Sequence, residues 1–156
     1  TGPLVAWVNG HAIAGGCILA LAADAAYTTA DTRARIGLNE VALGLRFPPC
    51  ILEMVRARID TRHLEEVVLG AALHAPVEAA GLGLVTAVSQ DPEADARAHL
   101  ARLAAHPPDT YKAAKADLRG GVMDASAELT RRFQNEVLQA WTSPQLKAKV
   151  LALLER

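Results

Sequence analysis

The chain has 156 residues, 51% of them apolar and 21% charged, enough to bury a core as one globular domain. A formal charge of -1 and an aromatic content of 4% exclude the basic footprint of a nucleic-acid or anionic-membrane binder and a base-stacking platform. Two isolated cysteines, Cys17 and Cys50, with no CxxC pair, suit a reducing compartment better than a disulfide scaffold.

The opening "TGPLVAWVNG" has neither the charged front nor the apolar length of a signal peptide, and no run reaches membrane-spanning length. The default location is therefore cytoplasmic, or the mitochondrial matrix if the source is eukaryotic. Thr1 leads straight into a strand-like run, so more chain is expected ahead of it. Leu4 to Val8 is apolar and β-leaning, and Asn9-Gly10 closes it as a strand and turn. Cys17 to Ala25 is small and apolar throughout, which predicts a buried helix starting just after Gly15-Gly16. Ala26 to Thr29 reads as a second strand, "DTRAR" as a loop, and Arg35 to Gly37 as a third strand. Pro48 and Pro49 open a helix through Ile59, since proline is tolerated in a first turn. Asp60 or Thr61 caps the next, which stops at Gly70. A short helix from Pro76 ends at Gly81, and Leu84 to Val88 forms a strand. Pro92 to His106 is an amphipathic helix with Leu100 and Leu103 on one face. Pro107-Pro108-Asp109 restarts a helix that runs to Gly120-Gly121. Ala125 to Thr142 and Ser143 to Leu154 are the last two, with Ser143 as N-cap and Pro144 at the first helical position. Short β and α elements followed by helices alone predict the α/β class, with a core in residues 1–90 and a helical region in 91–156.

Gly10, Gly15 and Gly16 surround a helix start. Free N–H groups there, with no Cβ in the way, suit a developing negative charge. On spacing alone, close helix–strand packing is the commoner use of such glycines. Neither a dinucleotide GxGxxG nor a phosphate loop with Lys-Ser/Thr is present. Glu40 lies in the apolar stretch "IGLNEVALGL", where burial would raise its pKa toward that of a general base working near neutrality. A partly exposed glutamate at a strand end is the plainer alternative, and Asn39 either orients a carboxylate or ends the strand. The histidines show no HxxxH or HExxH spacing; His63, His99 and His106 read as helix-surface residues, His11 as a neighbour of the glycine turn, and no metal site is expected. Neither Cys17 nor any serine stands in a nucleophile elbow. Lys112 and Lys115 read as solvated helix-face lysines.

Taken together, "PLVAWVNGHAIAGGCILALAAD" and "ARIGLNEVALGL" resemble the crotonase (enoyl-CoA hydratase/isomerase) superfamily. The matching features are P-x-x-A-x-x-N-G at Pro3 to Gly10, A-G-G-C at Ala14 to Cys17, Asp24 seven residues later, and G-L-N-E at Gly37 to Glu40. The later "EEVVLGAALHAPVEAAGLGLVTAV" is also similar to the family. The resemblance implies a spiral of ββα turns, here partial, followed by helices that build a trimer or a dimer of trimers. It implies an acyl thioester of coenzyme A as substrate, with no other cofactor and no nucleic acid or membrane partner. In such proteins two backbone N–H groups hold the thioester oxygen. Gly15 matches the second donor, and the first belongs to an earlier loop, so the chain looks like the C-terminal part of the fold. Lys112 and Lys115 could meet the coenzyme A phosphates from a neighbouring subunit.

Hydratases carry one glutamate directly after the glycine-cysteine stretch and another at the Glu40 position. Here the first is Ile18, which cannot hold or activate water and dries the pocket. One base, Glu40, with an oxyanion hole suffices for a 1,3-proton shift. "AGGC" with "IGLNE", and the ending from "FQNEVLQAWTSPQ" onward, look like Δ3,Δ2-enoyl-CoA isomerases of the mitochondrial type. The implied catalytic residues are Glu40 and Gly15; Gly15, Gly16, Ile18, Phe47 and Pro48 would line the substrate. Other reactions of the superfamily (2-enoyl-CoA hydration, decarboxylation, thioester hydrolysis) and a non-catalytic acyl-CoA-binding subunit stay open as alternatives.

Overall fold

The structure, a computed structural model, describes residues 2–121 and 127–154. Two parallel sheets organise its first half. β1 (Val5–Val8), β3 (Ala25–Thr29) and β5 (Ala87–Ser89) form one, in that spatial order, with Val5 opposite Ala25 and Tyr27 opposite Ala87. β2 (Ala12–Ile13) and β4 (Ile36–Gly37) form the other, with Ala12 opposite Ile36 and Ile13 opposite Gly37. Parallel neighbours need a crossover, and the eight-residue helix α1 (Gly15–Ala22) lies on the path that returns the chain from β2 to β3. Small residues on α1 and β3 let helix and sheet approach closely. Cys17, Ala20, Leu21 and Ala26 join Val8, Ile36, Leu38, Val55, Val67 and Leu84 in a single apolar core.

Helix α2 (Pro49–Arg58) begins where the two prolines place it. Asp60 caps the following 3-10 turn by accepting from the Arg62 amide, and that turn runs on into α3 (Leu64–Val68). α4 (Pro76–Gly81), α5 (Pro92–Ala104) and α6 (Pro108–Arg119) follow. Then come α7 (Ala127–Arg132), a π-helical turn (Phe133–Val137), a 3-10 turn (Leu138–Thr142) and α8 (Pro144–Leu154).

Several expectations are corrected. α1 starts at Gly15 rather than Cys17 and ends at Ala22, because Ala23 is already extended (φ -70°, ψ 163°) and Ala25 belongs to β3. β2 was not expected, since two residues between glycines carry no period. Leu84 and Val85 are buried by packing, and pairing begins only at Ala87. In place of one helix over 125–142 the described part, from Ala127, changes pitch twice; residues 125 and 126 lie outside the described residues. On α5 the inward residue is Ala96; Leu103 is half-buried and Leu100 is exposed. Of the three histidines expected on helix surfaces, His63 and His99 are half-buried, with His99 Nδ1 2.9 Å from the Tyr27 hydroxyl, and His106 is exposed.

The helical half is tied to the core at the C-terminal end of α1. Arg58 donates to the carbonyls of Leu21 and Ala23, and Arg119 to those of Ala22 and Ala23. Cations are favoured where a helix leaves its last carbonyls unpaired. Asp24 accepts from the Leu4 amide, the Tyr111 hydroxyl, Lys115 Nζ at 2.9 Å and Arg119 Nη2 at 2.7 Å. Lys115 is thus part of this clamp instead of a solvated lysine, whereas Lys112 is exposed.

Candidate active site

The pairing of β2 with β4 decides what the site brings together. The Ala14 amide donates to the Gly37 carbonyl at 2.9 Å, extending the ladder by one residue. Because the strands are parallel, α1 and the segment Leu38–Glu40 leave the sheet at the same end. Gly15 therefore opens a helix two residues after β2, and Glu40 follows three residues after β4. The first-turn amides of α1 have no intrahelical acceptor, and the helix dipole adds partial positive charge there. Ala14, just before Gly15, holds φ 49°, a strained conformation for a residue with a Cβ that costs on the order of 1–3 kcal/mol.

Glu40 is 1% exposed, and neither carboxylate oxygen has a hydrogen-bond partner among the described residues. Burial raises its pKa above the ordinary 4.5, its own amide opposing this only in part. Cys17, fully buried, is close enough to feel Glu40: burial first, then the Glu40 charge, pushes its thiol up to about 12. A thiol held neutral in this way is inert as a nucleophile. The Glu40 carbonyl accepts from the amides of Leu43 (3.1 Å) and Leu45 (2.8 Å), so Glu40 sits at the head of a closed turn.

Gly37 shows why the strand before it needs a glycine. A Cβ there would lie 2.3 Å from the Ala72 carbonyl oxygen. The close approach comes from His74, whose backbone bridges Ile36 in both directions at 2.9 and 3.0 Å. At Gly15, by contrast, a Cβ would meet nothing within 4 Å, and at Gly16 only the Ala12 Cβ at 4.0 Å. Close packing, the commoner use of such a pair, is therefore not what these two serve; both are exposed at the helix start.

Ile18 and Phe47 are half-buried against the core, and Pro48 is the residue from which α2 starts. Asn39 is buried with its Oδ1 unpartnered among the described residues. His74, 3% exposed with Nδ1 3.1 Å from Glu78, went unnoticed in the sequence; the His-x-x-x-Glu spacing is the signal that would have drawn attention to it. Among the described residues no group of three or more His, Cys, Asp or Glu is placed to hold a metal. The larger hollows lie elsewhere; one of about 440 Å³, bounded by Leu21, Met54, Arg58 and Leu118, is at the far end of α1.

A raised-pKa carboxylate at the same sheet end as a helix start, whose first amides lack an intrahelical acceptor, can exchange a proton while negative charge builds on a bound oxygen. The whole chain, residues 1–156, matches the enoyl-CoA hydratase/isomerase family. It belongs to that family. Among its relatives is enoyl-CoA delta isomerase 2, peroxisomal, of Arabidopsis thaliana, 38% identical over 92 residues, covering 58% of this chain and 38% of the relative. Another is enoyl-CoA delta isomerase 1, mitochondrial, of Homo sapiens, 31% identical over 131 residues, covering 83% of this chain and 43% of the relative. The crystal structure of human mitochondrial delta3-delta2-enoyl-CoA isomerase superposes with a TM-score of 0.79 at 26% identity, over 94% of this chain and 59% of that one. The fold is that of the crotonases, and the chain spans about two fifths of the length of these curated relatives.

Proposed function

We propose that the protein moves the double bond of a 3-enoyl-CoA to the 2-trans position with Glu40 as its single base. Glu40 takes a C2 proton, acidic because it is both α to the thioester and allylic. The electron pair spreads onto the thioester oxygen, where the Gly15 amide donates. The same carboxyl returns the proton to C4 as the C3–C4 double bond becomes C2–C3. Gly15 and Gly16 leave the helix start open to that oxygen, and Ile18, Phe47 and Pro48 give the acyl chain apolar walls. Where a hydratase has a second carboxylate, Ile18 offers water no partner. The other oxyanion donor, the first along the fold, is expected from the part of the relatives' length that this chain does not span. In this reading residues 1–90 carry the catalytic groups, residues 91–156 serve a homo-trimer or dimer of trimers, and the coenzyme A thioester is the substrate, with no cofactor besides.

The observation that carries the reading is a buried Glu40, its carboxylate unpartnered among the described residues, at the same sheet end as the start of α1. The test is an ultraviolet assay of the full-length protein on trans-3-enoyl-CoA, with 2-enoyl-CoA hydration run alongside. Conjugation without hydration is expected, and Glu40→Gln should lower its rate at least about 100-fold. Hydration at a comparable rate, or near-normal turnover of the variant, would overturn it.

A further inference from the structure

The turn bearing Glu40 holds its own shape but not its own position. Besides the Leu43 and Leu45 amides on the Glu40 carbonyl, the Gly44 amide donates to the Val41 carbonyl at 2.9 Å. Two carbonyls of this segment are taken from far along the chain. Trp141 Nε1 donates to the Arg46 carbonyl at 3.3 Å, across 95 residues, and Lys149 Nζ to the Leu43 carbonyl at 3.0 Å, across 106. The Lys149 ammonium sits directly over the turn, 3.5 Å from where a Cβ of Gly44 would be. Ser143 couples the two donors, because its hydroxyl donates to the Ala140 carbonyl at 2.9 Å and accepts from the Leu146 amide at 3.2 Å. The 3-10 turn and α8 are therefore joined where they meet the Glu40 segment.

We infer that Trp141 and Lys149 are positioning residues: they strap the Glu40 turn to the C-terminal helix and so set where the base stands. Proton transfer demands placement to a fraction of an ångström, and bonds within a turn cannot supply it. Trp141 and Lys149 hold the segment at two points, the Arg46 and Leu43 carbonyls. The effect on turnover rests on the reaction proposed above, whereas the effect on the turn does not.

The experiment compares Lys149→Met, Lys149→Arg and Trp141→Phe in the full-length protein. Hydrogen exchange at the Leu43 and Leu45 amides should quicken about tenfold in Lys149→Met and Trp141→Phe, and stay near wild type in Lys149→Arg, which keeps a charged donor. On trans-3-enoyl-CoA, kcat should fall about tenfold in the same two variants with KM little changed. Unchanged exchange in both would overturn the strap, and Trp141→Phe and Lys149→Arg carry that comparison if Lys149→Met does not fold. Quickened exchange with unchanged kcat, or a loss confined to KM, would overturn the positioning role. Quickened exchange in a protein whose wild type does not isomerise would refute the proposed reaction and leave the strap standing.

Discussion

Glu40→Gln should make the protein more stable while it removes the proposed base. The substitution keeps the side chain's shape and deletes its charge. In the fold the carboxylate is 1% exposed with both oxygens unpartnered among the described residues. A buried polar group left unsatisfied costs about 1–3 kcal/mol, and a charged one more, so the neutral amide should recover about 1–2 kcal/mol at pH 8. For a chain of 156 residues that is about 3–6 °C in Tm. The sign depends on pH. Burial holds the folded-state pKa above the ordinary 4.5, so at intermediate pH the folded state keeps a proton that the unfolded chain has lost. The wild type therefore has its full stability below 4.5 and loses part of it as pH rises through the folded value. Glutamine does not titrate, so the variant's advantage should be small at acid pH and grow toward pH 8. Thermal unfolding of both proteins across that range measures it. An advantage independent of pH, or a variant less stable at pH 8, would show that the carboxylate has partners in the folded protein and would refute the reasoning.

Gly37→Ala should destabilise by about 1–3 kcal/mol in urea unfolding, since the backbone at Ala72 has to shift away from a Cβ 2.3 Å from its carbonyl oxygen. Asp24→Asn should cost about 1–3 kcal/mol at neutral pH by leaving Lys115 and Arg119 without their carboxylate. Burial acts to raise the Asp24 pKa, but the bonds from Lys115, the Leu4 amide and Tyr111 outweigh it and hold the carboxyl below 3.8. That stability is present above 3.8 and lost as pH falls through the lower folded value, so the gap between variant and wild type should close in acid. In a Cys50→Ser protein, a thiol reagent should label Cys17 at least about 100-fold more slowly than it labels Cys50 in Cys17→Ala, because Cys17 is fully buried with its thiol pushed up to about 12.

What could be read from the sequence follows the strength of each local signal. Prolines and caps act through their own backbone, so the starts of α2, α4, α5, α6 and α8, and the Asp60 and Ser143 caps, lie at or within a residue or so of where the sequence puts them. The limits of α1 were misread because "GGCILALAAD" is uniformly small and apolar, and nothing in it marks where helix becomes strand. β2 is held by partners 24 residues away in the chain, which no window centred on Ala12 can see. At the site, the apolar neighbours of Glu40 leave burial and a partly exposed strand end both open, and the fold decides for burial. The closeness of Glu40 to Cys17, the bridge from His74 and the reach of Trp141 and Lys149 were not legible, because each depends on the path of a segment far off in sequence.

The strap also bears on the order of assembly. The frame of the site closes locally, as in the bond from the Arg35 amide to His11 across 24 residues, while Lys149 must return across 106. Closing the longer loop costs about 1 kcal/mol more in chain entropy, and on the ribosome its donor emerges more than a hundred residues after the turn it holds. The β2–β4 scaffold can thus be in place while the Glu40 turn is still loosely held. Pulse-labelled exchange should find the Ala14 amide protected before that of Leu43. The site would then be completed later than the shape, and a nascent chain could look folded before Glu40 stands where the proposed reaction needs it.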